Sequence, residues 1–231
     1  MKKLFLFILL ILLSSICHAQ LSAGLKLNWN INKFIIKKTN VDEEFLNYNT
    51  LNNSLMLNGG IMAKYIFQRN FSIQSELIYN FFNTGISKVK YYTDSQDETL
   101  SSGNDFNIKM QYLELPVLGR VSFGRKVKFD IFAGAYGGYL LSAKQSTSNG
   151  RLNIPQQPSI EYATHNVRKD YTSFNAGVLV GLGITMHDRV ILEFRVNRGL
   201  VNINKSGSTK MYTLQGQFTV GYYLFRQKKK V

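Results

Sequence analysis

The chain is nearly devoid of cysteine: Cys17 is its single example in 231 residues, inside a segment that reads as removable. What remains after removal forms no disulfide and offers no thiolate as nucleophile or metal ligand. Histidine is almost as scarce, with His18, His165 and His187 too far apart to show a zinc-ligand spacing. Three prolines and one tryptophan are present, and no Pro/Ser-rich or low-complexity stretch divides the chain into domains. Acidic residues number 14 against 28 Lys and Arg, so the formal net charge is +14. No stretch sustains a helical apolar period, and no Gly-rich loop is placed to cradle a phosphate. Gly134, Gly137, Gly138, Gly181 and Gly183 sit inside alternating segments instead, where glycine allows bends and close packing.

One long apolar run exists, residues 4–13, preceded by Lys2 and Lys3 and followed by Ser14-Ser15-Ile16-Cys17-His18-Ala19. It is about half the roughly 20 residues that a spanning helix needs. A basic start, a short apolar core and small residues at Cys17 and Ala19 make a secretory signal peptide over 1–19, with the mature domain at 20–231 beginning on Gln20. The lipoprotein alternative, with Cys17 acylated, fits poorly because Ile16 occupies a position that wants a small residue. Cleavage removes Lys2 and Lys3 and lowers the charge from +14 to +12. Export outside the cytoplasm excludes most intracellular functions and argues against nucleic acid as the partner of this basic chain.

After Gln20 the pattern has period two throughout. Leu21, Ala23, Leu25, Leu27, Trp29 and Ile31 alternate with Ser22, Gly24, Lys26, Asn28 and Asn30. Similar alternation predicts further strands near 55–67, 71–81, 108–121, 127–141, 174–185, 190–197 and 214–224. A change of apolar phase at Tyr112-Leu113 suggests a β-bulge, and Pro116 suits an irregular position. Tight turns at 68–70, 123–126 and 186–189 alternate with long polar links at 37–53, 85–105, 142–170 and 204–211. Eight strands, short turns on one side and long links on the other predict an all-β fold: an eight-stranded antiparallel up-and-down transmembrane β-barrel with periplasmic turns and outer loops. A soluble sandwich or lipocalin-like barrel also alternates, but it would have to bury the bulky apolar face of all eight strands in one core. Eight strands leave little interior room, so the small and polar face belongs inside and the Leu/Val/Phe face toward lipid. Tyr65, Phe67, Phe71, Phe123 and Phe129 near one rim, and Tyr79, Phe81 and Phe82 near the other, suit aromatic girdles.

The inward parity carries Lys26, Lys64, Glu76, Glu114, Arg120, Lys128, Asp130, Glu193 and Arg195. Mixed charges in a narrow lumen are expected to pair across strands, which favours a plugged interior over a small-solute path. Glu76 with Glu114 invites a general acid/base reading, yet lysines alternate with the acids. His165 lies in a long link and His187 in a tight turn at the opposite end, with no aligned serine or acid. The expectation is therefore no enzyme, no cofactor and no metal. Lys37, Lys38, Lys88, Lys90, Arg151, Arg168, Lys169, Lys205 and Lys210 fall in the outer links, where lipopolysaccharide phosphates would meet a cationic rim. Arg69, Arg125, Lys126, Arg189 and Lys228 to Lys230 fall on the periplasmic side. The sequons at Asn52 and Asn204 carry no weight in a bacterial chain.

Three segments carry a family likeness: Gln111-Tyr112-Leu113-Glu114-Leu115-Pro116-Val117-Leu118, then Phe132-Ala133-Gly134-Ala135-Tyr136-Gly137-Gly138-Tyr139-Leu140-Leu141, and Asn197-Arg198-Gly199-Leu200-Val201-Asn202-Ile203. With the leader ending Ala19-Gln20, the mature chain resembles the PorT-like outer-membrane β-barrel family of Gram-negative bacteria. The resemblance implies a barrel in the outer membrane, with no activity assigned for most members and type nine secretion for the namesake. Val220-Gly221-Tyr222-Tyr223-Leu224-Phe225 is similar to the aromatic-ended last strand read by barrel assembly machinery, although a basic tail follows it here. Two functions are expected from these readings. One is a structural or interaction barrel in contact with outer-membrane lipids, lipopolysaccharide and envelope proteins. The other is an accessory of protein secretion, with a small-solute porin as the weaker third.

Overall fold

The computed structural model describes residues 20–38, 46–49, 56–68, 70–93, 99–150, 163–205 and 209–226. The signal peptide, the basic tail, Arg69, Arg151 and the sequon at Asn52 lie outside them. Among the described residues ten strands follow one another: β1 Gln20–Lys38, β2 Leu46–Asn49, β3 Met56–Ile66, β4 Phe71–Thr93, β5 Thr99–Gly124, β6 Val127–Gly150, β7 Ala163–Asn166, β8 Phe174–Met186, β9 Val190–Gly199 and β10 Thr209–Arg226. Every pairing is antiparallel. Eight of the strands close a ring in the order β1, β3, β4, β5, β6, β8, β9, β10, with β10 returning to β1. The short β2 and β7 lengthen the outer ends of β4 and β6.

The ring has a definite stagger. Paired residues lead from Gln20 through Ile66, Ser72, Arg120, Phe132, Gly181, Arg195 and Gln217 back to β1 at Asn30, ten residues beyond the start. A stagger of that size tilts the strands steeply and leaves an interior that side chains fill. The two faces are inverted relative to a soluble protein. Leu25, Leu27, Ile31, Ile61, Leu115, Ile131, Val180, Leu182 and Phe194 are exposed, whereas Lys26, Asn28, Asn30, Asn80, Arg120, Arg195 and Gln217 are buried. Such a surface is stable only in hydrocarbon, and a closed ring leaves no unpaired strand edge there.

Three expectations need correction. The link at 85–105 is not a loop: β4 and β5 stay paired from Gly85↔Asn107 out to Thr93↔Thr99, a hairpin standing beyond the ring. Outside lipid such a hairpin needs no apolar face, so its polar sequence hid the strands. The link at 142–170 likewise contains the end of β6 together with β7. The bulge is also displaced. Gln111 pairs Ser142 and Tyr112 pairs Leu140, so the extra residue is Leu141 on β6, while β5 keeps one parity through Glu114 and Leu118. Pro116 does sit at an irregularity, since Glu76 and Leu77 have no partner opposite it in the β4–β5 ladder.

The change of apolar phase on β5 has a different cause: the lumen itself turns apolar near its outer end. Phe34, Phe82, Ile108, Met110, Tyr112, Leu140 and Met211 point inward there and form one buried cluster. Phe82 thus belongs inside, its ring 4.8 Å from that of Phe34, and not to an outer girdle. The periplasmic turns are tight. His187 and Asp188 both take positive φ, 49° and 56°, and Arg189 donates its N–H to the Met186 carbonyl at 3.0 Å. That is the mirror-image turn that matches strand twist in two-residue hairpins.

Candidate functional site: the lumen

From the periplasmic mouth outward, the lumen is built in layers, each from residues two apart on neighbouring strands. Lowest, Asp188 on the β8–β9 turn takes Lys128 Nζ at 2.5 Å and Arg226 Nη1 at 2.8 Å. Lys128 is therefore a half-exposed rim residue and not an interior one. Partial burial pushes the Asp188 carboxyl up, but hydrogen bonding and charge from Lys128, then charge from Arg226, outweigh it and hold the carboxyl below the ordinary range. Lys64 is buried just inside, its ammonium 4.6 Å from the centre of the Tyr223 ring.

The next layer is an ion-pair network of fully buried side chains. Arg120 donates to Asp130 Oδ2 at 3.1 Å and to Glu193 Oε1. Asp130 also accepts from Ser122 and Thr185, each at 2.5 Å. Lys26 spans Glu76 at 2.5 Å and Glu193 at 3.2 Å, and Arg195 Nη1 reaches Glu76 Oε2 at 2.7 Å. Gln74 donates to Glu76 Oε1 at 2.6 Å and accepts from Tyr223 at 3.0 Å, while Gln217 accepts from Arg195. Uncompensated ions would be expelled from such a place, so each charge is tied to opposite charge and to hydrogen bonds.

Above lies a layer of carboxamides. Asn30 and Asn58 each donate to Asn80 Oδ1 at 2.9 Å, Gln215 donates to Asn32 at 2.7 Å, and Asn197 donates to Gln215 at 3.2 Å. Glu114 belongs to this layer and not with Glu76: it is buried, and its Oε2 has no hydrogen-bond partner. The outermost layer is the apolar cluster, into which the outer segments lower Tyr171 and Ile203. Arg168 anchors that segment by donating twice to the Leu140 carbonyl, at 3.2 and 3.0 Å, with its guanidinium over the Tyr139 ring.

Of the nine charged residues singled out by parity, six form the ion-pair network, Lys64 and Glu114 stand below and above it, and Lys128 marks the mouth. Parity alone missed the carboxamide layer and the apolar cork; the run of inward asparagines Asn28, Asn30 and Asn32 was the available signal for the former. His165 is at the outer end and His187 at the periplasmic turn, and no grouping of metal-binding side chains occurs among the described residues.

The family described as outer membrane protein beta-barrel domain matches residues 18–205. This chain belongs to that family. Its members' place is the outer membrane, which agrees with the inverted faces of the ring. The barrel is similar in structure to Ail of Yersinia pestis, at 11% identity over 89% of this chain and 99% of that one, with a TM-score of 0.34. OprG of Pseudomonas aeruginosa gives 9% identity, 88% and 94% coverage and a TM-score of 0.39. Neisserial surface protein A gives 11%, 90% and 97%, and 0.36. No curated protein matches the sequence.

Proposed function

We propose that this outer-membrane barrel conducts nothing and acts through its surfaces, as a structural and interaction protein of the envelope. The observation that carries the reading is the layered filling of the lumen: an ion-pair network, a carboxamide layer and an apolar cork in series. Either polar layer alone could pass a hydrated solute if it loosened. An apolar plug above both removes the continuous wet path that a porin needs. What stays free to act is the outer end, where the β4–β5 hairpin, β2 and β7 stand beyond the ring. Lys88 and Lys90 of the hairpin suit lipopolysaccharide phosphates and acidic envelope partners.

In this reading residues 1–19 are a cleaved signal peptide, and its support is the basic start, the short apolar core at 4–13 and the small residues Cys17 and Ala19 ahead of Gln20. Insertion by barrel assembly machinery through β10 belongs to the same reading. A PorT-like accessory role in secretion draws support from the periplasmic end, where exposed Arg125, Lys126 and Arg189 surround the mouth. Planar-bilayer recording of purified protein tests the closed lumen: no steady conductance is expected, and a constant ohmic current would replace this reading with a porin. Cross-linking in intact cells, compared between an outer-hairpin deletion and a variant lacking Lys228 to Lys230, separates the two roles by which partners each deletion loses.

A further inference from the structure

On β1, β10 and β9 the outward-facing side chains fall into ladder rows: Trp29↔Phe218↔Phe194, then Ile31↔Gly216↔Val196, then Lys33↔Leu214↔Arg198. Lys33 and Arg198 are exposed on the same face as Ile31 and Phe194, one strand to either side of Leu214. Further out, Lys37 pairs with Lys210, both exposed, and the Lys37 ammonium lies 5.9 Å from the centre of the Tyr212 ring. None of the described ion pairs includes any of these four cations. Among the described residues, no outward position on the three strands carries an acid.

Directly below this basic row the wall is hollow. A notch of about 340 Å³ lies over Gly216, lined by Trp29, Ile31, Phe194, Leu214 and Phe218, with Lys33 at its rim. Gly216 makes the hollow, since a Cβ built there meets nothing within 4 Å. The Trp29 and Phe218 rings, 6.0 Å apart, close its lower side. Charge on a lipid face is tolerated at the interface, so the Lys33–Arg198 row marks where hydrocarbon gives way to headgroups. Strand spacing sets the two backbones roughly 10 Å apart, within reach of one phosphate for side chains of this length. A second hollow nearer the periplasmic end, lined by Ala23, Ala63 and Leu224, has no cationic side chain in its lining.

We infer that this face of β1, β9 and β10 seats one molecule of lipid A, the phosphorylated glycolipid anchor of lipopolysaccharide, with a phosphate between Lys33 and Arg198 and an acyl chain in the notch over Gly216. The inference rests on the outer-membrane placement and gives the lipopolysaccharide contact of the proposed function a particular seat on the barrel wall. The cations stand at the outer border, beside the leaflet in which lipopolysaccharide takes the place of phospholipid. Four positive charges without an acid among them call for a polyanion, and Lys37 and Lys210 add charge above the Lys33–Arg198 row. A cationic row with an apolar hollow beneath it matches a ligand whose chains hang below its phosphate. A free phosphate ion would leave the hollow unused.

The chain's only tryptophan lines the notch and so reports its occupancy. The test places the barrel in nanodiscs of phosphatidylcholine with brominated acyl chains, which quench Trp29. Unbrominated diphosphoryl lipid A, titrated in at low mole fraction, should displace the brominated chain and restore emission, saturating at one lipid A per barrel. Lys33→Gln combined with Arg198→Gln should move the midpoint about tenfold to higher lipid A, through loss of charge-assisted hydrogen bonds. Gly216→Leu keeps all four cations and grows into open space, so it should fold normally and weaken displacement to a similar extent. Lys88→Gln combined with Lys90→Gln alters only the hairpin and should leave the midpoint unmoved. Phosphatidylglycerol, with a single phosphate, should need at least about tenfold more than lipid A. Emission that recovers only in proportion to dilution of the brominated lipid would overturn the inference, as would a midpoint indifferent to the cation and notch variants. Equal midpoints for phosphatidylglycerol and lipid A would overturn it by making this face a general anionic-lipid contact. Weakening confined to the Lys88 and Lys90 variant would overturn this seat and leave the proposed function standing.

Discussion

Lys26 Nζ lies 2.5 Å from Glu76 Oε1 and 3.2 Å from Glu193 Oε2, with all three side chains fully buried. The three residues come from β1, β4 and β9, so one ammonium ties together strands from distant parts of the ring. Both carboxylates also serve an arginine, Glu76 for Arg195 and Glu193 for Arg120. No member of the network can be removed without stranding charge.

Glu193→Ala leaves Arg120 with Asp130 alone and Lys26 with Glu76 alone, so three buried cations share two carboxylates. Breaking a buried pair by removing one partner costs about 3–5 kcal/mol. The variant should lose that much in urea refolding, read by the gel shift between heated and unheated samples. A loss under about 1 kcal/mol would mean that water reaches the network freely.

The lipid face should be sensitive to depth. Val180 is 58% exposed near the middle of β8, and Leu200 is equally exposed just beyond the outer end of β9. Val180→Arg should cost about 2–4 kcal/mol and Leu200→Arg no more than about 1 kcal/mol. Equal costs in liposome refolding would contradict this placement of the membrane band.

The cork should matter for stability and not, by itself, for conductance. Phe82→Ala empties a site against Phe34 and should cost about 3–5 kcal/mol. Planar bilayers should still show no current, because the ion-pair and carboxamide layers remain. A steady current from Phe82→Ala alone would make the cork the sole seal.

Acid should weaken the periplasmic mouth. The Asp188 carboxyl is held below its ordinary range when folded, so its pairing with Lys128 and Arg226 stabilises the barrel above roughly pH 4, the usual carboxylate value. That stability is lost as pH falls through the lower folded value. These side chains are partly exposed, and water screens the effect to about 1 kcal/mol or less. Asp188→Asn keeps a residue tolerant of positive φ. The gap in stability between wild type and Asp188→Asn should be present at neutral pH and close as the pH drops below about 4. A gap that persists at pH 2 would locate the effect in the turn backbone instead.

Period-two alternation determined the ring in advance. Leu25, Leu27 and Ile31 against Lys26, Asn28 and Asn30 already specify two chemically opposed faces, because side chains on a strand point alternately to either side. The same parity placed Lys26, Glu76, Arg120, Asp130, Glu193 and Arg195 on the inward face. What alternation does not encode is which strands are neighbours and by how much they are staggered. Only that stagger decided that Arg195 meets Glu76 and Arg120 meets Glu193, and that Glu114 rises into the carboxamide layer away from Glu76. Two further features were illegible for related reasons. The β4–β5 hairpin beyond lipid needs no apolar face, and the cork's inward apolar residues look in sequence like a strand that has changed phase. Periodicity reports the solvent on each side of a strand, and inside a closed barrel that solvent is made of the other strands.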